Sequence, residues 1–327
     1  MATVKVGTAS ARPGERTYGT ISAGALAIGA PIEVPVALVH GASPGPWLFA
    51  GAAVHGDEVN SIDVLRRVIP AIDPEELRGV VAAVAVVNPL AFEHRNRAAP
   101  QDSEDMNRVW PGKPDGKLAE RLAHAIYIQA VSPADAVVDL HTGATRMAVH
   151  TVYAEGDSAS RDLALAFGTE LLLEERRDEQ WQHARFNGKL RCVVGSHGIP
   201  AITPELGSNR TFQEVPIQAG VDGLRGVLDH LGMLKGHRPR PNRRITLSGS
   251  HLDSITASGA GLFVAEVEPG SRLRAGQRLG YLYRPTDFTT VEEFVAPTDT
   301  LVLALVDNPV VDTGGYIATL THVRSVD

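Results

Sequence analysis

The sequence predicts an α/β fold: a mostly parallel mixed sheet flanked by helices, followed by a small all-β, barrel-like domain. Three observations predict it. The apolar runs WLFAGAAV (47–54), VVAAVAVVNP (80–89) and AVVDLHTG (136–143) have the pattern of strands covered on both faces. Segments with helical apolar spacing alternate with them, as in a parallel sheet with crossover helices. Beyond residue 244 the helical periodicity stops, and short strands separated by Gly, Pro and Asp follow.

Residues 1–30 are rich in Gly, Ala, Ser and Thr and predict an edge strand or an arm. IEVPVALVHG (32–41) predicts a strand and ASPGP (42–46) a turn. After the first buried run, Val59, Ile62, Leu65 and Ile69 share one face of a helix over 58–69. The second run stops at Asn-Pro. Residues 91–115 are polar and irregular, and so long a loop inside a compact unit is usually functional. Helices are expected over 116–130, 158–168 and 213–234, and further strands over 190–194 and 201–206. KGHRPRPNRR (235–244) reads as a linker, dividing the chain into domains 1–240 and 241–327. In the second domain, EPGSRLRAGQRLG and DNPVVDTGGYIA resemble hairpins of biotinyl/lipoyl-type barrels. The tip YRPTDF has no lysine, which argues against a carrier role.

Composition excludes several functions. The chain has 327 residues and a net charge of −7, with its basic residues scattered, so nothing resembles a nucleic-acid footprint. One cysteine, Cys192, permits neither an intrachain disulfide nor a Cys-rich metal site, and it reads as a core residue. The first residues lack the charged start and apolar stretch of a signal peptide. No apolar run approaches the roughly 20 residues needed to cross a bilayer. A soluble cytoplasmic protein with no membrane partner is expected.

Three strand ends carry the reactive side chains. His55 and Glu58 follow the first buried run, His141 lies in DLHTG, and Glu205 follows AITP. Ligands of open α/β sheets bind at the carboxyl ends of the strands, so these groups are expected to converge. Two imidazoles and a carboxylate with an open position form the usual shell of a catalytic zinc. Asp139, two residues before His141, faces the same way along a strand and is placed to accept that ligand's other ring N–H. Glu205, in an otherwise apolar run, must be paired or functional: either a partner of Arg210 or a nearby helix end, or a general base and acid. The loop EHRNRAAPQDSEDMNRVWPG offers Arg95, Arg97, Asn107 and Arg108. Guanidinium groups suit both a substrate carboxylate and a developing oxyanion; the alternative is solvated loop charges. His94, His183 and His197 read as surface or loop residues, with His183 in a segment that would cover the site.

Together these motifs resemble the aspartoacylase/succinylglutamate desuccinylase family, within the zinc carboxypeptidase-like superfamily. The resemblance runs from about Val34 to Thr321. GAAVHGDE matches the first zinc motif, Asn88-Pro89 the second strand end, and DMNRVWPG the substrate-arginine motif. DLHTG matches the second zinc motif, and GIPAITPELG the segment with the catalytic glutamate. The details are closest to the broader bacterial deacylase branch.

The resemblance implies one zinc per chain, held by His55, Glu58 and His141, with Glu205 as base and acid. It implies that Asn107 and Arg108 grip the substrate carboxylate and that Arg97, in preference to Arg95, polarises the carbonyl. Arg146 and Arg191 are candidates for a second substrate carboxylate. The C-terminal β domain is expected to wall the active site, and assembly as a homo-oligomer, a dimer or larger, is implied. The expected activity is removal of a small acyl group from an N-acylated amino acid by metal-bound water. The rival activities are a zinc carboxypeptidase acting on short peptides and a binding protein without metal.

Overall fold

The structure is a computed structural model that describes residues 1–143, 145–175, 188–235 and 244–326. The segment around His183 and most of the expected linker lie outside the described residues. Strands β1 (Glu15–Ala25), β2 (Pro31–His40), β3 (Ser43–Ala52), β4 (Arg78–Val84), β5 (Ala136–Gly143), β6 (His150–Ala154), β7 (Leu171–Glu175) and β8 (Ala201–Ser208) alternate with helices α1 (Val59–Val68), α2 (Leu118–Ile126), α3 (Ser158–Phe167), α4 (Leu190–Ser196) and α5 (Glu214–His230). The chain ends in β9 (Ile245–Thr256), β10 (Gly261–Ala265), β11 (Arg278–Tyr283), β12 (Thr290–Val295), β13 (Thr300–Leu305), β14 (Val310–Val311) and β15 (Tyr316–Val326).

The main sheet has the order β1–β2–β4–β3–β5–β8–β6–β7–β9–β15–β13. It contains two parallel blocks. One is β4–β3–β5–β8 and the other β6–β7–β9. They meet antiparallel at β8 and β6. The carboxyl ends of β3, β5 and β8 therefore share an edge with the start of β6, where His150 lies.

Alternate side chains of the central strands feed two cores. Phe49, Ala82 and Val137 pack with α2 and α4 through Leu122, Ile126, Leu190 and Val194. Leu48, Ala50, Val81 and Val138 pack on the other face with α1, α3 and α5 through Leu65, Phe167 and Leu224. Both faces are apolar, as doubly covered strands require.

The structure corrects four expectations. ASPGP is not a turn, because β3 already begins at Ser43, which pairs with Arg78. LRCVV is a helix, not a strand. Residues 190–194 are buried on every side, so the run carries no amphipathic period, and short apolar runs do not distinguish helix from strand. Asn107 Oδ1 accepts a hydrogen bond from Leu190 N at 3.0 Å, which satisfies one free donor of the helix start. Strands β6 and β7 occupy segments with no predicted strand. The C-terminal region does not close into a barrel among the described residues: β12–β11–β10–β14 form a four-stranded antiparallel sheet. Strands β9, β13 and β15 instead extend the main sheet.

Candidate active site

Behind β3 the backbone turns at Ala53, which adopts a left-handed φ of 48°. Gly56 then lies against the turn after Asn88, where a Cβ would fall 2.0 Å from the Ala91 backbone. That turn is shaped by Asn88, whose Oδ1 accepts from Ala91 N at 3.1 Å and caps the short helix Pro89–Glu93. The tight packing holds His55 over the sheet edge, and Glu58 follows at the start of α1.

His55, Glu58 and His141 converge, all buried, with one ligand atom from each within 4.8 Å of the others. His55 Nδ1 is 2.6 Å from Glu58 Oε1. His141 Nδ1 is 3.0 Å from Glu58 Oε2. Both Nδ1 atoms thus face the same carboxylate. Both Nε2 atoms face outward: His55 Nε2 donates to Asp105 Oδ1 and His141 Nε2 to Asp139 Oδ2, each at 3.0 Å. With the Nε2 protons committed there, the Nδ1 lone pairs are available to a cation. Asp139 is where its spacing places it. Asp105, which holds His55 Nε2, is given no role by any motif in the sequence.

The electrostatics agree with cation binding. Burial lowers the pKa of His141, but Asp139 and Glu58 outweigh it and hold the group well above its ordinary value. Burial likewise opposes charge on His55, and Glu58 and Asp105 overcome it, so its pKa is raised. For Glu58 burial would raise the pKa, but the two imidazoles push it down to about 2. The site therefore favours positive charge at its centre. A divalent ion at that point would supply such charge. Two imidazoles and a carboxylate with an open side fit zinc.

Glu205 faces this cluster. It is paired in register with His141 on β5, and its Oε2 is buried without a hydrogen-bond partner among the described residues. The alternative partner, Arg210, binds Asp57 instead. Arg97 grips Asp105 Oδ2 through Nε and Nη2 at 3.2 and 2.8 Å, and its Nη1 reaches within 3.4 Å of His55 Nδ1. Arg108 lines the cleft, with Nη1 donating to the Asn107 carbonyl at 2.7 Å. The Leu190 bond fixes the Asn107 amide, so that Nδ2 lies 3.3 Å from His141 Nε2.

Arg95 is not in this group. It is exposed, with a left-handed φ of 52°, and lines a separate hollow with Asp57 and Arg210. Arg146 also lies apart, paired with Glu268. Arg191 does line the cleft. It is 4% exposed and donates to Glu175, while its Nε and Nη1 have no partner among the described residues. His94 and His197 are exposed as expected. His150 is not: it is buried in the cleft wall, and no motif signals it.

The cleft has a volume of about 340 Å³. Leu252, Leu303, Ala304 and Thr319 of the C-terminal strands form part of its wall.

The class so defined is an α/β protein with a candidate metal centre at the ends of its parallel strands. The chain belongs to the succinylglutamate desuccinylase/aspartoacylase family, whose catalytic-domain model matches residues 44–231. It is similar to the N-α-acetyl-L-2,4-diaminobutyric acid deacetylase of Halomonas elongata, at 26% identity over 302 residues, 89% of this chain and 86% of that protein. Among solved structures it is similar to a succinylglutamate desuccinylase/aspartoacylase from Rhodobacter sphaeroides, with a TM-score of 0.83 and 23% identity over 95% of this chain and 96% of that one. The product-bound ectoine utilization protein EutE (DoeB) from Ruegeria pomeroyi gives a TM-score of 0.82 and 22% identity over 94% of each chain. No helix among the described residues is long and apolar enough to cross a membrane.

Proposed function

We propose that this chain is a zinc-dependent amide hydrolase that removes a small acyl group from an N-acylated amino acid. The observation that carries the reading is the convergence of two Nδ1 atoms and the Glu58 carboxylate beside Glu205. Family membership and the similarity to a deacetylase support it.

His55, Glu58 and His141 would hold the ion. Bound zinc supplies a Lewis acid and brings the pKa of water down to about 7. Glu205 takes a proton from the attacking water and returns it to the leaving nitrogen. Its buried Oε2, without a partner among the described residues, leaves it available for that exchange. Arg97, tied to Asp105 and directed at the metal pole, stabilises the oxyanion. Asn107 and Arg108 hold the amino-acid carboxylate on the adjacent wall. Arg191 offers two free donors to a second carboxylate, in the amino-acid side chain or the acyl group. The cleft volume is near the lower end for ligand pockets, about 300 Å³, which suits a small substrate better than a peptide.

The test is hydrolysis by zinc-loaded protein of a panel of N-acyl amino acids and short peptides, with Glu205→Ala as the control. Amine release from an acyl amino acid, lost on the order of 100-fold or more in Glu205→Ala, is the expected result. Cleavage of peptides alone would transfer the chain to the carboxypeptidase reading. Full activity after metal removal would overturn the mechanism.

A further inference from the structure

His141, Glu205 and His150 stand in one row across three strands. Glu205 is in register with His141 on one side and with His150 on the other. Residues opposed in this way project from the same face of a sheet, and all three line the cleft. With strands about 4.8 Å apart, His150 lies beyond Glu205 from the candidate metal ligands.

His150 is 2% exposed. Its Nδ1 is 2.9 Å from the carbonyl oxygen of Ala148. That oxygen only accepts, so Nδ1 carries the proton and Nε2 the lone pair. Nε2 has no hydrogen-bond partner among the described residues. Burial keeps the imidazole's pKa below its ordinary value, against the opposing pull of Glu205 and the Ala148 carbonyl. A neutral imidazole acceptor therefore sits beside a carboxylate acceptor. The two cannot hydrogen-bond to each other without a proton between them, but together they can receive a donor that bears more than one N–H.

We propose that His150 is a catalytic residue whose Nε2 accepts an N–H of the amine leaving the scissile amide, alongside Glu205. This rests on the amide-hydrolase reading above. In that reaction water adds to the acyl carbon, a C–O bond forms and the C–N bond breaks. One water proton passes through Glu205 to the nitrogen; the other stays with the acid until product carboxyl and amine exchange it. The nitrogen of a secondary amide has one N–H, and the departing amine has at least two. The additional bond points at a second acceptor, and His150 supplies one while keeping its own Nδ1 proton throughout. The bond strengthens as positive charge grows on nitrogen, so it favours the transition state over bound substrate.

The test compares amides with esters that have the same acyl group but leave through oxygen. The pairs are N-acetyl-L-aspartate with O-acetyl-L-malate, and N-succinyl-L-glutamate with O-succinyl-L-2-hydroxyglutarate, together with the best amide of the panel above and its ester. His150→Leu and His150→Gln are assayed zinc-loaded, with zinc content measured for each. In His150→Leu, kcat for the amide should fall roughly ten- to hundredfold, as loss of a hydrogen bond to a charged group implies. KM and the ester rate should hold. His150→Gln, whose amide oxygen is an acceptor, should recover part of the amide rate. Equal losses on amide and ester would mean that His150 only supports the wall, and no loss on the amide would also overturn the proposal. Wild-type protein inactive on every amide would instead remove the hydrolase reading, and this proposal with it.

Discussion

The two zinc-ligand histidines proposed here are oriented by different kinds of neighbour. His141 is served by Asp139, two residues away on the same strand, a relation legible in the spacing alone. His55 is served by Asp105, which comes from the long polar loop, 50 residues along the chain. The only trace of Asp105 in the sequence is its place beside Met106, Asn107 and Arg108. Asp105 also anchors Arg97, so one carboxylate positions both the proposed ligand His55 and the proposed oxyanion donor. Removing its charge should loosen both. Asp105→Asn is expected to weaken zinc binding about 10- to 100-fold, the usual cost of losing such a partner. Competition with a chelator measures it, and unchanged affinity would deny Asp105 that role. His150 had no legible signal: it lies in a five-residue strand, and only the reversal of strand direction beside Glu205 brings it to the cleft.

At the scale of elements, the buried runs of β3, β4 and β5 and the helices α1, α2, α3 and α5 were legible because periodicity reports burial directly. Where that relation fails, so does the reading. The first five residues of α4 are all buried and so show no amphipathic period, and its start depends on Asn107 from a remote loop. β6 and β7 are short, and their pairing is non-local. The turn between β3 and α1 is the element on which the candidate centre most depends. A methyl group at Gly56 would meet the Ala91 and Phe92 backbone, which cannot yield as a flexible side chain would. Gly56→Ala should therefore cost about 3 kcal/mol, the upper range for overpacking. It should also displace His55 and reduce zinc per chain below one. Thermal unfolding and metal analysis test this together, and a variant with wild-type values in both would show that the turn tolerates the group.

Across the whole molecule, a change of periodicity is the ground for expecting domains 1–240 and 241–327, and the main sheet runs across that boundary. Leu171 to Glu174 of β7 pair in register with Ile245 to Ser248 of β9, and one cluster joins Leu171 and Leu173 to Leu247, Leu301 and Leu303. Such long-range pairing leaves little trace in local sequence. At the end of the same strand, Glu175 binds Lys189 and Arg191 at the start of α4, tying β7 to the element that leads into β8. Burial alone would raise the pKa of Glu175, but Arg191 and Lys189 bring it down from 4.5 to about 2. The carboxyl thus has a lower proton affinity in the folded chain than in the unfolded one. Its contribution, on the order of 3 kcal/mol, is complete above about pH 4.5 and disappears as the pH falls towards 2. Glu175→Gln should lower the free energy of unfolding by about that amount near pH 7, because it leaves Arg191 buried without its carboxylate. The gap from wild type should narrow steadily below pH 4.5, where the native carboxyl takes up its proton and comes to resemble the amide. Urea titrations of both proteins across this range measure the gap directly. A gap that is the same at each pH would show that the stabilisation comes from packing rather than from the charge.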